Sequence, residues 1–249
     1  MLTSVLEGGV SVGPYPELTG KRILITGLDL QAGVDVARAF AEQGCRIVLH
    51  TTARGVEADA VLEMLAQTAS ELQVYSDPLT ETDSTVRFAQ TAARTFSGLD
   101  AVVNLVQFDA SAACDATSSN LEDTIARQMQ HICIITRIAA NRMRLTWSEG
   151  LILNVMTCSP PRSDAESALT SIARTMLASM TRTEAREWSD QAIRINAVAP
   201  NCEVQDASSC LSSEPDIAAL AMFLASPRGR DLSGLVFDLA LAHNSTRAA

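Results

Sequence analysis

Residues 22–43 read RILITGLDLQAGVDVARAFAEQ, and this stretch decides the fold. Arg22–Thr26 is a short apolar run of the kind that fills a buried strand. Gly27 breaks it and a polar turn follows. Over 32–43, Gly33, Val36, Ala37, Phe40 and Ala41 repeat at helical spacing. That spacing predicts a helix with one apolar face. A strand, a glycine-bearing turn and a helix in this order begin a strand–helix–strand unit. Parallel strands need such a crossover, so the unit predicts a parallel sheet.

The alternation continues outward to the end of the chain. Strands are predicted over 22–26, 46–50, 72–76, 100–106, 151–155, 193–199 and 235–240. Helices are predicted over 32–43, about 56–70, 82–96, 119–145 and 164–187, and from Ser213 to about 226. Ser118 or Ser119 is the expected cap of the long helix. Ser213 is the expected cap of the last one, with Pro215 in its first turn. The strands are apolar on both faces, as in a sheet covered by helices on each side. The fold class is therefore α/β: a three-layer, doubly wound, seven-stranded parallel sheet. Residues 1–18 are less regular and read as an N-terminal extension before one domain over 19–249. Ligands of such sheets bind at the carboxyl ends of the strands, where strand order reverses.

Composition narrows the function. The 249 residues are 47% hydrophobic and 19% charged, with net charge −10. A chain of this kind folds without disulfides or metal. Its acidity argues against nucleic acid as a partner, since phosphate binding rests on clustered Lys and Arg. No apolar run reaches the length of a membrane span, and the N-terminus lacks the basic-then-apolar order of a signal peptide. The six cysteines, at 45, 114, 133, 158, 202 and 210, show no metal-ligand spacing. They read as reduced thiols of a cytoplasmic protein.

An ordered series of motifs resembles the short-chain dehydrogenase/reductase family. Thr26-Gly27-Leu28-Asp29-Leu30-Gln31-Ala32-Gly33 resembles its glycine turn, TGxxxGxG. Asp77 follows the third strand, where the family keeps an acidic residue beside the adenine. Asp100–Asn104, Ile152–Thr157, Ile193–Pro200, Phe223–Ser226 and Ser233–Asp238 resemble the later motifs in order. The resemblance spans about 210 residues and implies a Rossmann-like fold with NAD(P)-dependent oxidoreductase activity.

The functional positions, carried over one at a time, depart from the family. Its reductases use a Ser to orient the carbonyl, a Tyr as acid/base, a Lys four residues later, and an Asn for the proton relay. Those positions are Thr157, Thr170, Arg174 and Gln128 here. Thr157 keeps a hydroxyl and Arg174 keeps a charge, though a planar fork does not replace an ammonium. A Thr hydroxyl cannot act as general acid near neutral pH. No Tyr follows Tyr75 and no Lys follows Lys21, so a shifted alignment restores neither.

The cofactor positions are degraded too. They are Thr26, Gly27, Gln31, Gly33, Thr51, Arg54, Asp77, Asn104 and Pro200. Gln31 replaces the glycine that lets the backbone approach the pyrophosphate, so its side chain is expected where phosphate would lie. Leu105-Val106-Gln107 replaces the rest of the family's NNAG, and Asn201 the glycine after Pro200. Thr51-Thr52 stands where NAD-preferring members carry an acidic residue, with Arg54 nearby. The expectation is no dinucleotide or a weakly held NAD(P), with NADP favoured over NAD, and no metal.

Three functions follow. The first is a silent family member acting as oligomerisation partner, scaffold or ligand sensor. The second is a non-redox enzyme in the same cleft. Halohydrin dehalogenases resemble this idea, with Arg for Lys, but they keep the Tyr. The third is an NAD(P)-dependent carbonyl or 3-oxoacyl reductase working through other residues. Cys158 with His131 is the one alternative nucleophile–base pair, and packing accounts for both. The apolar stripes of 119–145 and 164–187 serve the core. In the resembling family these helices also build the dimer interface, which implies a homodimer, a homotetramer or a heteromer with an active relative.

Overall fold

A computed structural model describes residues 14–115, 121–202 and 210–241. Seven strands form one sheet: β1 (Arg22–Leu28), β2 (Arg46–Thr51), β3 (Glu71–Tyr75), β4 (Ala101–Phe108), β5 (Gly150–Cys158), β6 (Ile193–Pro200) and β7 (Val236–Leu239). Their order is β3-β2-β1-β4-β5-β6-β7, and every pairing is parallel. Strand order reverses between β1 and β4, which opens a crevice at their carboxyl ends.

The helices are α1 (Val34–Glu42), α2 (Val56–Thr68), α3 (Thr82–Thr95), α4 (Ala110–Asp115), α5 (Leu121–Leu145), α6 (Asp164–Glu187) and α7 (Glu214–Ala225). The period-two pleat sorts each strand between two cores. Ile23, Ile25, Ile47 and Leu49 pack with Val36 and Phe40 of α1 and with Ile217 and Met222 of α7. Leu24, Val48 and Ile152 point the other way, onto Phe88 of α3 and Ile135 of α5. At the far end of that face, Met156 and Phe108 meet Met129 of α5 and Leu169 of α6.

The predicted elements are all present, with ends unchanged, as for 164–187, or shifted by up to three residues; residues 119 and 120 lie outside the described residues. Among the described residues, one α-helix is additional, the six-residue α4 before the long helix, besides three short 3-10 turns. Asp109 caps it, its carboxylate accepting from the Ala112 amide at 3.0 Å. Ser118 and Ser119 lie outside the described residues. Ser213 does precede α7 and Pro215 is in its first turn. The Ser213 hydroxyl, however, donates to Asp216 at 2.9 Å rather than accepting from an amide. A nearby carboxylate is the stronger acceptor partner for that hydroxyl. Among the described residues no helix is long and apolar enough to cross a membrane.

Beneath the crevice lies a buried polar cluster. Asn104 is fully buried. Its Oδ1 accepts from the Thr26 hydroxyl at 3.0 Å and its Nδ2 donates to Asn154 at 2.8 Å. The Thr136 hydroxyl of α5 also donates to Asn154, at 3.2 Å. The cluster ties β1, β4, β5 and α5 at the point where strand order turns. Asn104→Leu strands the Thr26 hydroxyl and removes one of the two donors to Asn154. Urea denaturation is expected to show a loss of about 2–4 kcal/mol with an unchanged slope. A loss under about 0.5 kcal/mol would show that the cluster contributes nothing net.

Candidate functional site

The crevice is built by the turns after β1, β4, β5 and β6. Gly27 has φ +75°, and a Cβ there would strike the Leu105 carbonyl of β4. Only glycine meets both demands. Gly33 has φ +98°, and a Cβ there would strike the Leu105 side chain. Leu105 thus packs directly beneath the turn. Gln31 is exposed, and its amide is turned to the Asp29 carboxylate at 2.7 Å. The Ala32 amide donates to the same oxygen, also at 2.7 Å.

His50, at the end of β2, bridges two of the cofactor positions. Its Nδ1 accepts from the Gly27 amide at 3.4 Å and its Nε2 bonds the Asp77 carbonyl at 2.9 Å. These contacts require a neutral ring that donates from Nε2. Phe88 packs on it with ring centres 5.0 Å apart. Burial lowers the His50 pKa, and the Asp77 contacts offset part of that. The buried Thr51 hydroxyl accepts from the Ala53 amide at 3.1 Å, while Arg54 and Asp77 are exposed. Pro200 ends β6 and is buried.

The catalytic positions are each engaged elsewhere. Thr170 is fully buried, and its hydroxyl donates to the Glu166 carbonyl one turn back, at 2.9 Å. Arg174 is ion-paired with Asp238 of β7. The Asn201 side-chain Nδ2 donates to the other oxygen of that carboxylate at 3.1 Å. Thr157 donates to the Val106 carbonyl at 3.4 Å. Gln128 grips the Asp109 backbone twice: it accepts from the amide at 2.8 Å and donates to the carbonyl at 3.2 Å. That clamp holds one wall of a cavity of about 540 Å³, whose polar lining includes Gln107, Ser111, Ser159, Arg162 and Glu166.

The two alternative catalytic candidates do not pair. Burial pushes the Cys158 thiol up to about 11; Cys202 adds to the rise and the Thr170 hydroxyl lowers it. A thiol this weakly acidic is not a nucleophile at neutral pH. Burial lowers His131, and His50, not a cysteine, is the group that adds to the shift. Four contributors were not read from the sequence: Asp29, His50, Glu214 and Asp238. Only Asp29 carried a local signal, because Asp two residues before a turn amide forms such a loop.

Comparison with known proteins agrees with this architecture. A family model described as Enoyl-(Acyl carrier protein) reductase matches residues 32–219. A 3-oxoacyl-[acyl-carrier-protein] reductase of Synechocystis is 25% identical over 203 residues, covering 80% of both chains. A putative oxidoreductase of Mycobacterium tuberculosis is 28% identical over 238 residues, 89% of this chain and 98% of that one. A short-chain dehydrogenase/reductase of Serratia marcescens superposes with TM-score 0.72 at 16% identity, covering 90% of this chain and 97% of that one. That last likeness concerns the fold alone.

The lowered pKa of His50 sets a pH dependence. The unfolded chain holds the proton more tightly than the folded one. The stability tied to the neutral ring is therefore intact above the ordinary value of 6.5 and lost as pH falls below it, towards the lowered folded value. Thermal melts of the wild type are expected to fall from pH 7 to 5, and His50→Gln to flatten that fall. Parallel curves would contradict the assignment.

Proposed function

The chain belongs to the short-chain dehydrogenase/reductase family, and from that premise we propose that its cleft performs no hydride transfer through the family's usual groups. On this reading the protein is a silent member: an oligomerisation partner, a scaffold or a ligand sensor. One observation carries it. At the acid/base position the Thr170 hydroxyl is buried and spent on the Glu166 carbonyl. A proton donor must stand within hydrogen-bond reach of the substrate and titrate near the working pH, and Thr170 meets neither need. The Arg174–Asp238 ion pair supports the same reading, because it engages the charge that would hold a nicotinamide ribose. Dinucleotide affinity is then weak or absent, NADP being favoured over NAD by Arg54 and the lack of an acidic group at Thr51.

A second reading has its own support. The relatives carry oxidoreductase names, among them 3-oxoacyl-[acyl-carrier-protein] reductase and Glucose 1-dehydrogenase 2 of Bacillus subtilis, 25% identical over 189 residues. Those names favour an NAD(P)-dependent oxidoreductase acting through other residues over a silent one. A non-redox enzyme in the cavity beside Gln128 is the remaining alternative. Titration with NADPH and NADH, followed by an assay on acetoacetyl thioesters, separates the readings. No binding in the low micromolar range and no turnover are expected. Loss of the general acid alone removes roughly 10²–10⁴-fold, so turnover within about tenfold of an ordinary reductase would establish the second reading.

The partner reading is an oligomer, dimeric at least, formed with itself or with an active relative. Helices α5 and α6 support it. Between them lies a groove of about 750 Å³ lined by Met129, Cys133, Ile134, Met176 and Met180, together with the polar Asp123, Arg127 and Gln130. Ile172, on α6, is 51% exposed. Two-fold pairing of these faces would cover both. Light scattering at micromolar concentration is expected to give a dimer or tetramer, and Ile172→Arg or Met176→Arg to dissociate it. A wild-type monomer would exclude self-association, and unchanged variants would exclude these helices. A cytoplasmic location is part of the same reading and rests on the six cysteines being thiols.

A further inference from the structure

The first amides of α1 have no partners within the helix. Among the described residues, Glu214, a carboxylate of the chain itself, takes one of them, and Asp29 takes two amides of the turn just before the helix. Asp29 Oδ1 accepts from the Gln31 and Ala32 amides, each at 2.7 Å. Glu214 Oε1 accepts from the Asp35 amide at 2.7 Å, and the backbone at Gly33 and Val36 helps to hold its pKa down.

The Glu214 contact is not a local cap. Glu214 lies 179 residues beyond Asp35 and is the first residue of α7, which packs alongside α1. Its carboxyl is half-buried, and burial raises its pKa against the lowering effect of the amides. The fold therefore carries a desolvated negative charge on these amides. In a dinucleotide-binding fold, the same amides and the same positive helix end receive the pyrophosphate.

We propose that Glu214 is an internal occupant of the phosphate seat: a latch from α7 that closes the α1 turn to the pyrophosphate of a dinucleotide. The inference rests on the reading that dinucleotide binding is weak, and it supplies a physical cause. A phosphate oxygen and the Glu214 carboxylate compete for the same donors, and two anions cannot share them at close range. Gln31 obstructs the approach sterically. Glu214 would obstruct it with charge even if Gln31 were glycine.

The test uses Glu214→Gln and Glu214→Ala, each alone and combined with Gln31→Gly. Inorganic pyrophosphate and NADPH are the probes. Binding is read from the backbone amide resonances of residues 31–36 and by calorimetry, with circular dichroism to establish that each variant is folded. Glu214→Gln keeps the shape and removes the charge, so it carries the test if the alanine variant does not fold. Removing one fixed charge at a helix amino end is expected to tighten pyrophosphate binding about tenfold. The gain should be retained in the Gln31→Gly background. A folded Glu214→Gln protein that binds pyrophosphate no better than the wild type overturns the latch. The wild-type affinity for NADPH tests the proposed function. The ratio of variant to wild type tests the latch, whatever that affinity is.

Discussion

A helix that begins beneath an open crevice presents backbone amides that must find acceptors. Everything at this site follows from what accepts those of α1. In a fold that binds dinucleotides, the ligand's phosphates fill that need and the turn stays open. Here Glu214 fills it at Asp35 from within the chain, and Asp29 takes the Gln31 and Ala32 amides of the turn just before the helix. The turn is thereby complete without a ligand. Leu105 packs beneath it, and its carbonyl admits nothing larger than glycine at position 27.

The catalytic end of the crevice follows the same rule. Each group at a catalytic position bonds to the protein itself: Thr157 to Val106, Thr170 to Glu166, Arg174 to Asp238, Gln128 to Asp109. In an active site such groups are held by some partners and left free toward the substrate. The scaffold is intact beneath them. The Thr26–Asn104–Asn154–Thr136 cluster binds the central strands together at the switch point. A fold does not by itself fix a function, and on the proposed reading this one no longer positions the family's chemistry.

The fold was legible because its signals are local. The RILIT run, the helical spacing of Val36, Ala37, Phe40 and Ala41, and the repeated alternation depend only on near neighbours. The missed helix α4 is too short for its spacing to register over six residues. Within the site, the replacements at Thr170 and Gln31 could be read by position. What each side chain does instead could not. Arg174 finds Asp238 64 residues away, and Glu214 reaches α1 across most of the chain. Pairs at such separations leave no periodic trace, and only the sheet order brings them together. His50 ends a run that was legible only as the strand 46–50, yet both of its nitrogens bond cofactor positions.

On the proposed reading, the crevice is satisfied by its own side chains and holds no nicotinamide in a reactive place. A crystal structure of the wild type grown with millimolar NADPH tests it most directly. The expected result is an empty turn, with Asp29 on the Gln31 and Ala32 amides, Glu214 on the Asp35 amide and Arg174 on Asp238. Ordered dinucleotide in the crevice, with Glu214 displaced and Arg174 turned onto the nicotinamide ribose, would contradict it.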